Sequence, residues 1–473
     1  MRCALAGAAL ALAACHAAPR RIAAVLPFEA PAPLDEAAVL RRAPAGAAVG
    51  YLLLDAAQGR SEAEREADAP LPPASVAKLA STIAALEVLG PDHRFTTALV
   101  RKGGDLWLRG GGDPQLGFAE LMALAQRLRG ARGIRRFFYD DTAFPWSERI
   151  DSEQPPDAGY DPALGALSIE GNRVPIRWRP AGDGAVTAWA LPWGLTPLDL
   201  AGRGSGRKFE RDPGGRWLLN PELPERGDAQ VPVRRPGEHA ARAFASLARE
   251  AGIELPDPEP APAPEGAELV AQHPSRPLHE LARATLEHSS NFMADMLLLS
   301  TAVKLAGEPV PLAEAALHLE AFWAQRLPGE TVRLENGSGL SGRSRLTARQ
   351  AVGMLAYAAR QAWPRPYLTL LPIAGWSGTL SRRMSTPDVA LRAFAKTGSL
   401  SYAIGLAGHL FTRSGRELIF AVFVADVAAR DRMRAREPAS LAEAEAQDRE
   451  ADAWASRARR VQDELVRLWV ARY

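Results

Sequence analysis

The stretch Pro73-Ala-Ser-Val-Ala-Lys78 introduces a helix, because apolar residues follow it at helical spacing and Gly90-Pro91 then ends the pattern. Those apolar residues are Val76, Leu79, Ile83 and Leu86. Ser75 is therefore expected at the start of the helix, with Lys78 one turn later. Residues three positions apart share a helix face, so the serine hydroxyl and the lysine amine can come within hydrogen-bond reach.

This pair has the composition of a nucleophile with its base. A serine hydroxyl is a weak nucleophile near neutral pH and needs a base to take its proton. Burial lowers the pKa of a lysine because it disfavours the charged ammonium, so a buried Lys78 can serve Ser75 in that way. Taken alone, the same residues also fit a serine that caps a helix and a lysine exposed to solvent.

Lysine is rare in this chain, since only five of the 57 basic residues are lysine and the others are arginine. Two of the five, Lys78 and Lys396, lie in short strings with serine or threonine. Lysine can lose its proton when buried and arginine effectively cannot. The bias indicates that lysine is kept where its chemistry is needed.

The second string, Ser289-Ser290-Asn291, combines hydroxyls with an amide directly before an apolar helix. We expect Ser289 to pass a proton between Lys78 and a leaving nitrogen. We expect Asn291 to bond both Lys78 and a substrate carbonyl. The alternative is that these polar residues only cap or end helices.

The third string, Lys396-Thr397-Gly398-Ser399, lies on a predicted strand. Lys396 and Thr397 are candidates to attract a substrate carboxylate, and Gly398 lets a peptide backbone approach closely. The amides of Ser399 and Ser75 are candidates for an oxyanion hole. The alternative is an edge-strand lysine in solvent.

Together the strings occur in the order that is typical of penicillin-interacting serine enzymes. More closely, the chain resembles the D-alanyl-D-alanine carboxypeptidase/endopeptidase family, the low-molecular-mass class C penicillin-binding proteins, over nearly its whole mature length. Other stretches similar to landmarks of that family are Gly110-Gly-Gly-Asp-Pro114, Asp140-Asp141-Thr-Ala-Phe144, Asn336-Gly-Ser-Gly-Leu-Ser341 and Gly375-Trp-Ser-Gly-Thr-Leu380. The chain departs from the usual family pattern at Asn336 and Ser377, where the family usually has aspartate.

The resemblance implies a serine DD-peptidase that hydrolyses the D-alanyl-D-alanine bond of peptidoglycan stem peptides, and also D-alanyl cross-links, through an acyl-enzyme. It implies β-lactams as inhibitors and no cofactor. The implied roles are nucleophile for Ser75, base for Lys78, relay for Ser289 and Asn291, and substrate binding for Lys396 and Thr397. Two alternatives stay open: a β-lactamase or esterase with the same residues, and a non-catalytic cell-wall binding protein.

The expected fold class is α/β (α+β): a penicillin-binding/β-lactamase-like transpeptidase domain with an antiparallel sheet covered by helices, interrupted by an inserted β-rich region. A chain of 473 residues is too long for one ordinary core. We expect a signal peptide at 1–14, the transpeptidase-like domain at 15–94 and 266–473, and the inserted region at 95–265. Residues 394–424 read as an antiparallel meander, and the apolar stripe in the C-terminal tail suits packing on a sheet.

The leader and the charge indicate the compartment and the partners. The run Ala4–Ala14 has signal-peptide length and leads into Leu12-Ala-Ala-Cys15, which resembles a bacterial lipobox. We expect export to the periplasm or cell envelope, with a lipid on Cys15 as the membrane contact; a plain secretory signal is the alternative. A net charge of +2 gives no indication of a nucleic-acid partner. The histidines lack metal-binding spacing, so we expect no metal site.

Overall fold

The computed structural model describes residues 35–180, 186–190, 198–199, 207–211 and 217–473. The expected signal peptide and Cys15 lie outside these residues. The strands are β1 (Ala48–Asp55), β2 (Ser61–Arg65), β3 (Thr96–Lys102), β4 (Asp105–Arg109), β5 (Arg136–Asp140), β6 (Arg173–Pro180), β7 (Val186–Ala190), β8 (Leu198–Asp199), β9 (Phe209–Arg211), β10 (Trp217–Leu219), β11 (Gly227–Pro232), β12 (Pro258–Pro260), β13 (Glu268–Pro274), β14 (Ala393–Leu400), β15 (Ala403–Phe411) and β16 (Glu417–Ala425).

The helices are α1 (Glu36–Leu40), α2 (Lys78–Val88), α3 (Phe118–Gln126), α4 (Pro236–Glu250), α5 (Leu278–His288), α6 (Asn291–Ala306), α7 (Leu312–Arg326), α8 (Ala348–Ala359), α9 (Val427–Arg434) and α10 (Leu441–Arg472). Short 3-10 turns are formed by Ala74–Ala77, Glu170–Asn172, Tyr367–Leu370 and Gly378–Leu380. In the described part of the chain, no helix combines the length and the apolar character needed to cross a membrane.

The first sheet joins strands that are far apart in the sequence. Its order is β14-β15-β16-β1-β2, and each neighbouring pair is antiparallel. β14, β15 and β16 form the meander predicted from residues 394–424, which is confirmed. β1 pairs along its whole length with β16, from Ala48 opposite Ala425 to Asp55 opposite Leu418. β14 is the edge strand of this sheet, and an isolated antiparallel bridge between Phe394 and Ile373 covers the first part of its outer side.

Helices cover both faces of this sheet. One face carries α2, α5, α6, α7 and α8, which share a single apolar core with Leu52 of β1. On the other face, Trp469 of α10 packs near Tyr51 and Phe420, with ring centroids 5.5 and 6.1 Å away. The tail stripe therefore packs on the sheet as predicted, and the antiparallel sheet covered by helices is confirmed.

Helix α2 lies in the interior of the helical layer. All of its residues from Lys78 to Leu86 are buried. A helix in this position presents no face to water, so a charged residue on it must find its partners inside the protein. That requirement applies directly to Lys78.

The segment between α2 and α5 forms separate sheets, as the predicted β-rich interruption requires. The largest has the order β12-β5-β4-β3-β13, and α3 and α4 pack against it. The smaller sheets are β11-β6-β7 and β8-β10-β9.

The largest of these sheets continues past residue 265, the expected end of the inserted region, because β13 pairs antiparallel with β3 up to Pro274. The proline-rich stretch before it, expected as an extended linker, contributes β12, which pairs parallel with β5. Proline is accommodated there because β12 is an edge strand.

Candidate active site

The first string forms the contact that its spacing predicts. Ser75 lies in the 3-10 turn Ala74–Ala77, and Lys78 is the first residue of α2. The Lys78 Nζ donates a hydrogen bond to the Ser75 Oγ at 2.8 Å. Ser75 is partly exposed whereas Lys78 has no exposed surface, so the hydroxyl is open to a ligand and the amine is not.

Lys78 reaches two further oxygen atoms from distant parts of the chain. Its Nζ donates to the Asn291 Oδ1 at 2.7 Å and to the Ser338 carbonyl oxygen at 2.8 Å. The three acceptors satisfy the three donors of an ammonium group. Burial nevertheless lowers the pKa of Lys78 to about 7, because the charged form loses its hydration.

A buried carboxylate, Asp295, stands near this lysine and was missed by the sequence-based reasoning. It lies one helical turn after Asn291, and its Oδ1 accepts a hydrogen bond from the Gly337 amide at 2.6 Å. Burial raises the pKa of Asp295, and the charges of Asp295 and Lys78 act on each other. The available signal was an acidic residue inside the apolar run of α6, which needs a buried partner.

The loop that supplies the Ser338 carbonyl is held by Asn336, one of the two departures from the family pattern. The buried Asn336 Oδ1 accepts hydrogen bonds from the amides of Gly339 and Leu340, at 2.9 and 3.2 Å. At the other departure, the Ser377 Oγ accepts a hydrogen bond from the Ile373 amide at 3.2 Å. Both side chains therefore act as hydrogen-bond acceptors that fix loops beside the site.

The second string divides its residues between two partners. Ser289 ends α5 with a left-handed backbone, at φ 55°, and its Oγ accepts a hydrogen bond from the Lys396 Nζ at 2.9 Å. Among the described residues Ser289 has no hydrogen bond to Lys78, the partner expected for a relay. Asn291 does bond Lys78, while its Nδ2 donates to the Tyr160 carbonyl oxygen at 3.0 Å.

The third string lies on β14, as predicted, but its lysine is an interior residue. Lys396 has no exposed surface, and its Nζ donates to the Ser289 Oγ and to the Thr397 carbonyl oxygen, the latter at 2.7 Å. Burial lowers the pKa of Lys396 well below its usual value, and the like charge of Lys78 lowers it further. The alternative of an edge-strand lysine in solvent does not hold.

Gly398 allows β14 to approach the first string. A β-carbon at this position would lie 2.6 Å from the Pro73 carbonyl oxygen and 3.1 Å from the Ser75 amide nitrogen. The first distance is too short for any side chain, so only glycine permits this packing. The exposed Ser399 follows on the same strand, and the Thr397 Oγ1 donates to the Thr379 Oγ1 at 2.8 Å.

The three strings therefore meet in one place, with a partly exposed hydroxyl and two buried lysines. Ser75, Lys78 and Asn291 form one hydrogen-bonded group, and Ser289 and Lys396 form a second. This arrangement can deliver a serine oxygen to a carbonyl carbon and can accept its proton on a lysine of lowered pKa. The chemistry is that of acyl transfer.

Comparison with known proteins identifies a family to which the chain is similar over most of its length. A family model described as "D-Ala-D-Ala carboxypeptidase 3 (S13) family" matches residues 34–446. A D-alanyl-D-alanine carboxypeptidase of Actinomadura sp. is 30% identical over 417 residues, which cover 80% of this chain and 77% of that protein. Carboxypeptidase DacB of Mycolicibacterium smegmatis is 31% identical over 395 residues, which cover 78% and 75%.

Among solved structures, penicillin binding protein 4 of Haemophilus influenzae has a TM-score of 0.73 at 21% identity, covering 83% of this chain and 93% of that chain. Its complex with a β-lactam has a TM-score of 0.70 at 22% identity. At this identity the likeness shows the shared fold. The match of the family model to most of the sequence goes further: the chain belongs to the D-Ala-D-Ala carboxypeptidase 3 (S13) family.

Proposed function

We propose that this protein is a serine DD-peptidase that removes the terminal D-alanine from peptidoglycan stem peptides and also cleaves D-alanyl cross-links. The observation that carries the proposal is the 2.8 Å contact between the Ser75 Oγ and the Nζ of the fully buried Lys78. Family membership supports it, and so do the relatives that are named carboxypeptidases.

In the acylation step, the Ser75 Oγ attacks the carbonyl carbon before the terminal D-alanine and Lys78 takes the hydroxyl proton. The amides of Ser75 and Ser399 hold the oxyanion that develops. The bond from the carbonyl carbon to nitrogen then breaks, and the proton that Lys78 took from Ser75 passes to the leaving nitrogen. Asn291 keeps the Lys78 amine in place through its 2.7 Å contact.

In the deacylation step, a water molecule adds to the ester carbon and gives its proton to Lys78. The ester bond to the Ser75 oxygen breaks, and that oxygen recovers a proton. The products are a shortened stem with a new carboxylate and a free D-alanine. Lys396 and Thr397 bind the terminal carboxylate of the substrate, so the carboxylate of penicillin fits the same position.

The test uses purified protein, a fluorescent penicillin and a D-alanine assay with a pentapeptide and a cross-linked dimer as substrates. We expect wild type to be labelled and to release D-alanine, and Ser75→Ala to do neither. Ser246→Ala is the matched control, because Ser246 is a helical serine on α4 that bonds only the Arg242 carbonyl oxygen in the described structure. Equal labelling of wild type and Ser75→Ala would refute the proposal.

We also propose that residues 1–14 direct export to the cell envelope and that Cys15 becomes the lipid-bearing first residue of the mature protein. The support is the Leu12-Ala-Ala-Cys15 pattern after an apolar run, together with a cell-wall substrate. Mass spectrometry of the mature N-terminus tests this. A diacylglycerol mass on Cys15, lost in Cys15→Ser, is expected; an unmodified N-terminus would contradict it.

A further inference from the structure

A polar cavity of about 720 Å³ adjoins the second string but is separate from the site above. It is bordered by Ser290, Phe292 and Met293 at the start of α6, and by residues near β13 and α3. Of the three strings, only Ser290 lines it among the described residues. Its volume is in the range of sites that bind small molecules.

Three guanidinium groups line this cavity, those of Arg94, Arg173 and Arg276, and we call it the arginine cavity. Arg94 donates a hydrogen bond to the Ser275 carbonyl oxygen. Within the described residues, none of the three lies within ion-pair distance of a carboxylate. Guanidinium groups in protein sites usually pair with carboxylate or phosphate, so the cavity has cations without their usual partners.

Arg173 makes the strongest case, because it is half-buried and has no hydrogen-bond or ion-pair partner in the described part of the chain. Burial lowers the pKa of Arg173, and no carboxylate of the described residues is close enough to offset that effect. An arginine stays charged under these conditions, and a partly desolvated charge without a partner is costly. An anion entering the cavity would remove that cost.

Four carboxylates also line the cavity, those of Asp113, Glu120, Glu170 and Glu280. Glu120 and Glu170 each accept a hydrogen bond from a backbone amide at the start of α3, at 3.1 and 3.0 Å. Asp113 accepts one from the Gln115 amide at 2.9 Å and lies 3.8 Å from the His273 Nε2. Glu280 is exposed and, among the described residues, pairs with none of the three arginines. None of these carboxylates forms an ion pair with the three arginines among the described residues, so each guanidinium group lacks a direct anionic partner.

We propose that the arginine cavity binds the carboxylate of a small peptide or amino acid. The identity of the ligand rests on the proposed function, because hydrolysis of a stem peptide yields two products that each carry a free carboxylate. The cavity meets the catalytic cluster at α6, whose first residues are Asn291 on one side and the cavity-lining Phe292 and Met293 on the other. A product or a second stem can thus bind beside the reacting one.

The experiment measures binding by calorimetry to protein that has first been acylated with penicillin, so that the catalytic cleft is filled. The probe is N-acetyl-D-alanine, and N-acetyl-D-alaninamide is the matched neutral compound. We expect the acid to bind and the amide to bind at least about tenfold more weakly. The free energy of a hydrogen bond to a charged group corresponds to a change in the dissociation constant of about this size. Arg173→Gln is expected to weaken binding of the acid by a similar factor.

The control variant is Arg360→Gln, which removes an exposed arginine at the end of α8 and is expected to leave binding unchanged. Retained acylation of Arg173→Gln by penicillin shows that the variant is folded. No binding of the acid to acylated wild type, or binding that Arg173→Gln does not alter, overturns the proposal. Binding of inorganic phosphate through Arg173 without binding of the acid also overturns it, in favour of another class of anion.

Acylation is verified by the increase in protein mass before any titration. If penicillin does not acylate the protein, the proposed function fails. The arginine cavity is then tested on the unmodified protein, where dependence of binding on Arg173 still identifies it. The two failures are therefore distinguishable.

Discussion

The helix that carries Lys78 and the strand that carries Lys396 each bring a fully buried lysine to the same site, but they provide for its charge differently. Lys78 has three oxygen acceptors and shares the interior with the Asp295 carboxylate. Lys396 has two acceptors, and the charged group that acts on it is another lysine. Lys78 has a built-in counterion, whereas Lys396 has none in the part of the chain that the structure describes.

This difference suits the two lysines to different roles, proton transfer for Lys78 and carboxylate binding for Lys396. A lysine with its own counterion can gain or lose a proton without help from a ligand, as a general base must. Lys396 has no carboxylate partner among the described residues, so a ligand carboxylate is what would complete its surroundings and restore its charge. The next four predictions test this division, and they begin with the largest effect.

Replacing Lys78 with arginine is expected to slow acylation by fluorescent penicillin by about 10³-fold, because arginine keeps its proton and cannot act as a base. The second-order rate constant of labelling measures this. Lys304→Arg, at an exposed position on α6, is the control and is expected to react like wild type. A Lys78→Arg variant that reacts at a near-normal rate would contradict a role for Lys78 as the base.

The pH dependence of acylation is expected to follow the proton on Lys78. Burial lowers the pKa of Lys78 to about 7, and in the proposed mechanism the neutral amine is the active form. The rate therefore rises with pH and levels off above about 7, and it falls about tenfold per unit on the acid side. Rate constants measured from pH 5 to 9 show this acid limb, which is the part of the profile where the rate rises with pH. A rate that is flat over that range contradicts a titrating base.

Replacing Lys396 with methionine is expected to lower kcat/KM for a stem peptide about 10- to 100-fold, since a charge-assisted contact to the terminal carboxylate is lost. The C-terminal amide of the same peptide is the matched substrate. Its kcat/KM is expected to fall much less, because it has no carboxylate to bind. Equal losses for acid and amide would assign Lys396 a role in organising the site through Ser289.

Replacing Asp295 with asparagine is expected to have the smallest effect on rate, a change of a few-fold at neutral pH, and to move the acid limb to lower pH. The sign follows from the charge: Asp295 raises the pKa of Lys78, so its removal lowers that pKa further. The pH profile of labelling measures the shift, and a melting curve verifies the fold. A limb that stays in place would show that Asp295 acts only through the Gly337 amide.

Local patterns in the sequence were sufficient for part of the site. The Ser75–Lys78 contact is the one that helical spacing predicts, and the meander carrying Lys396 was predicted from consecutive strand-like stretches with a turn. The contacts of Lys78 with Asn291 and Ser338 span 213 and 260 positions in the sequence. Such contacts depend on how α2, α6 and a loop pack, and no local pattern encodes that.

Two sequence-based expectations show where local reasoning ended. Ser289 was expected to contact Lys78, but the left-handed backbone at the end of α5 accompanies a contact with Lys396 across 107 positions. The inserted region was expected to end at 265, but β13 returns to pair with β3. Most residues of β13 are exposed, including Leu269 at 52%, so this strand lacks the alternation of buried and exposed residues that would mark it in the sequence.

Because α2 is buried, we expect Ser75 to react with penicillin only in the folded protein. In an unfolded chain Lys78 is an ordinary ammonium and Ser75 an ordinary alcohol, so a chain in transit or in denaturant cannot be acylated. In the proposed mechanism, water that reaches Lys78 through partial opening restores the positive charge of its amine, so Ser75 loses its base. Penicillin labelling therefore counts correctly folded molecules, and its loss along a denaturation series measures the opening of the helical core around α2.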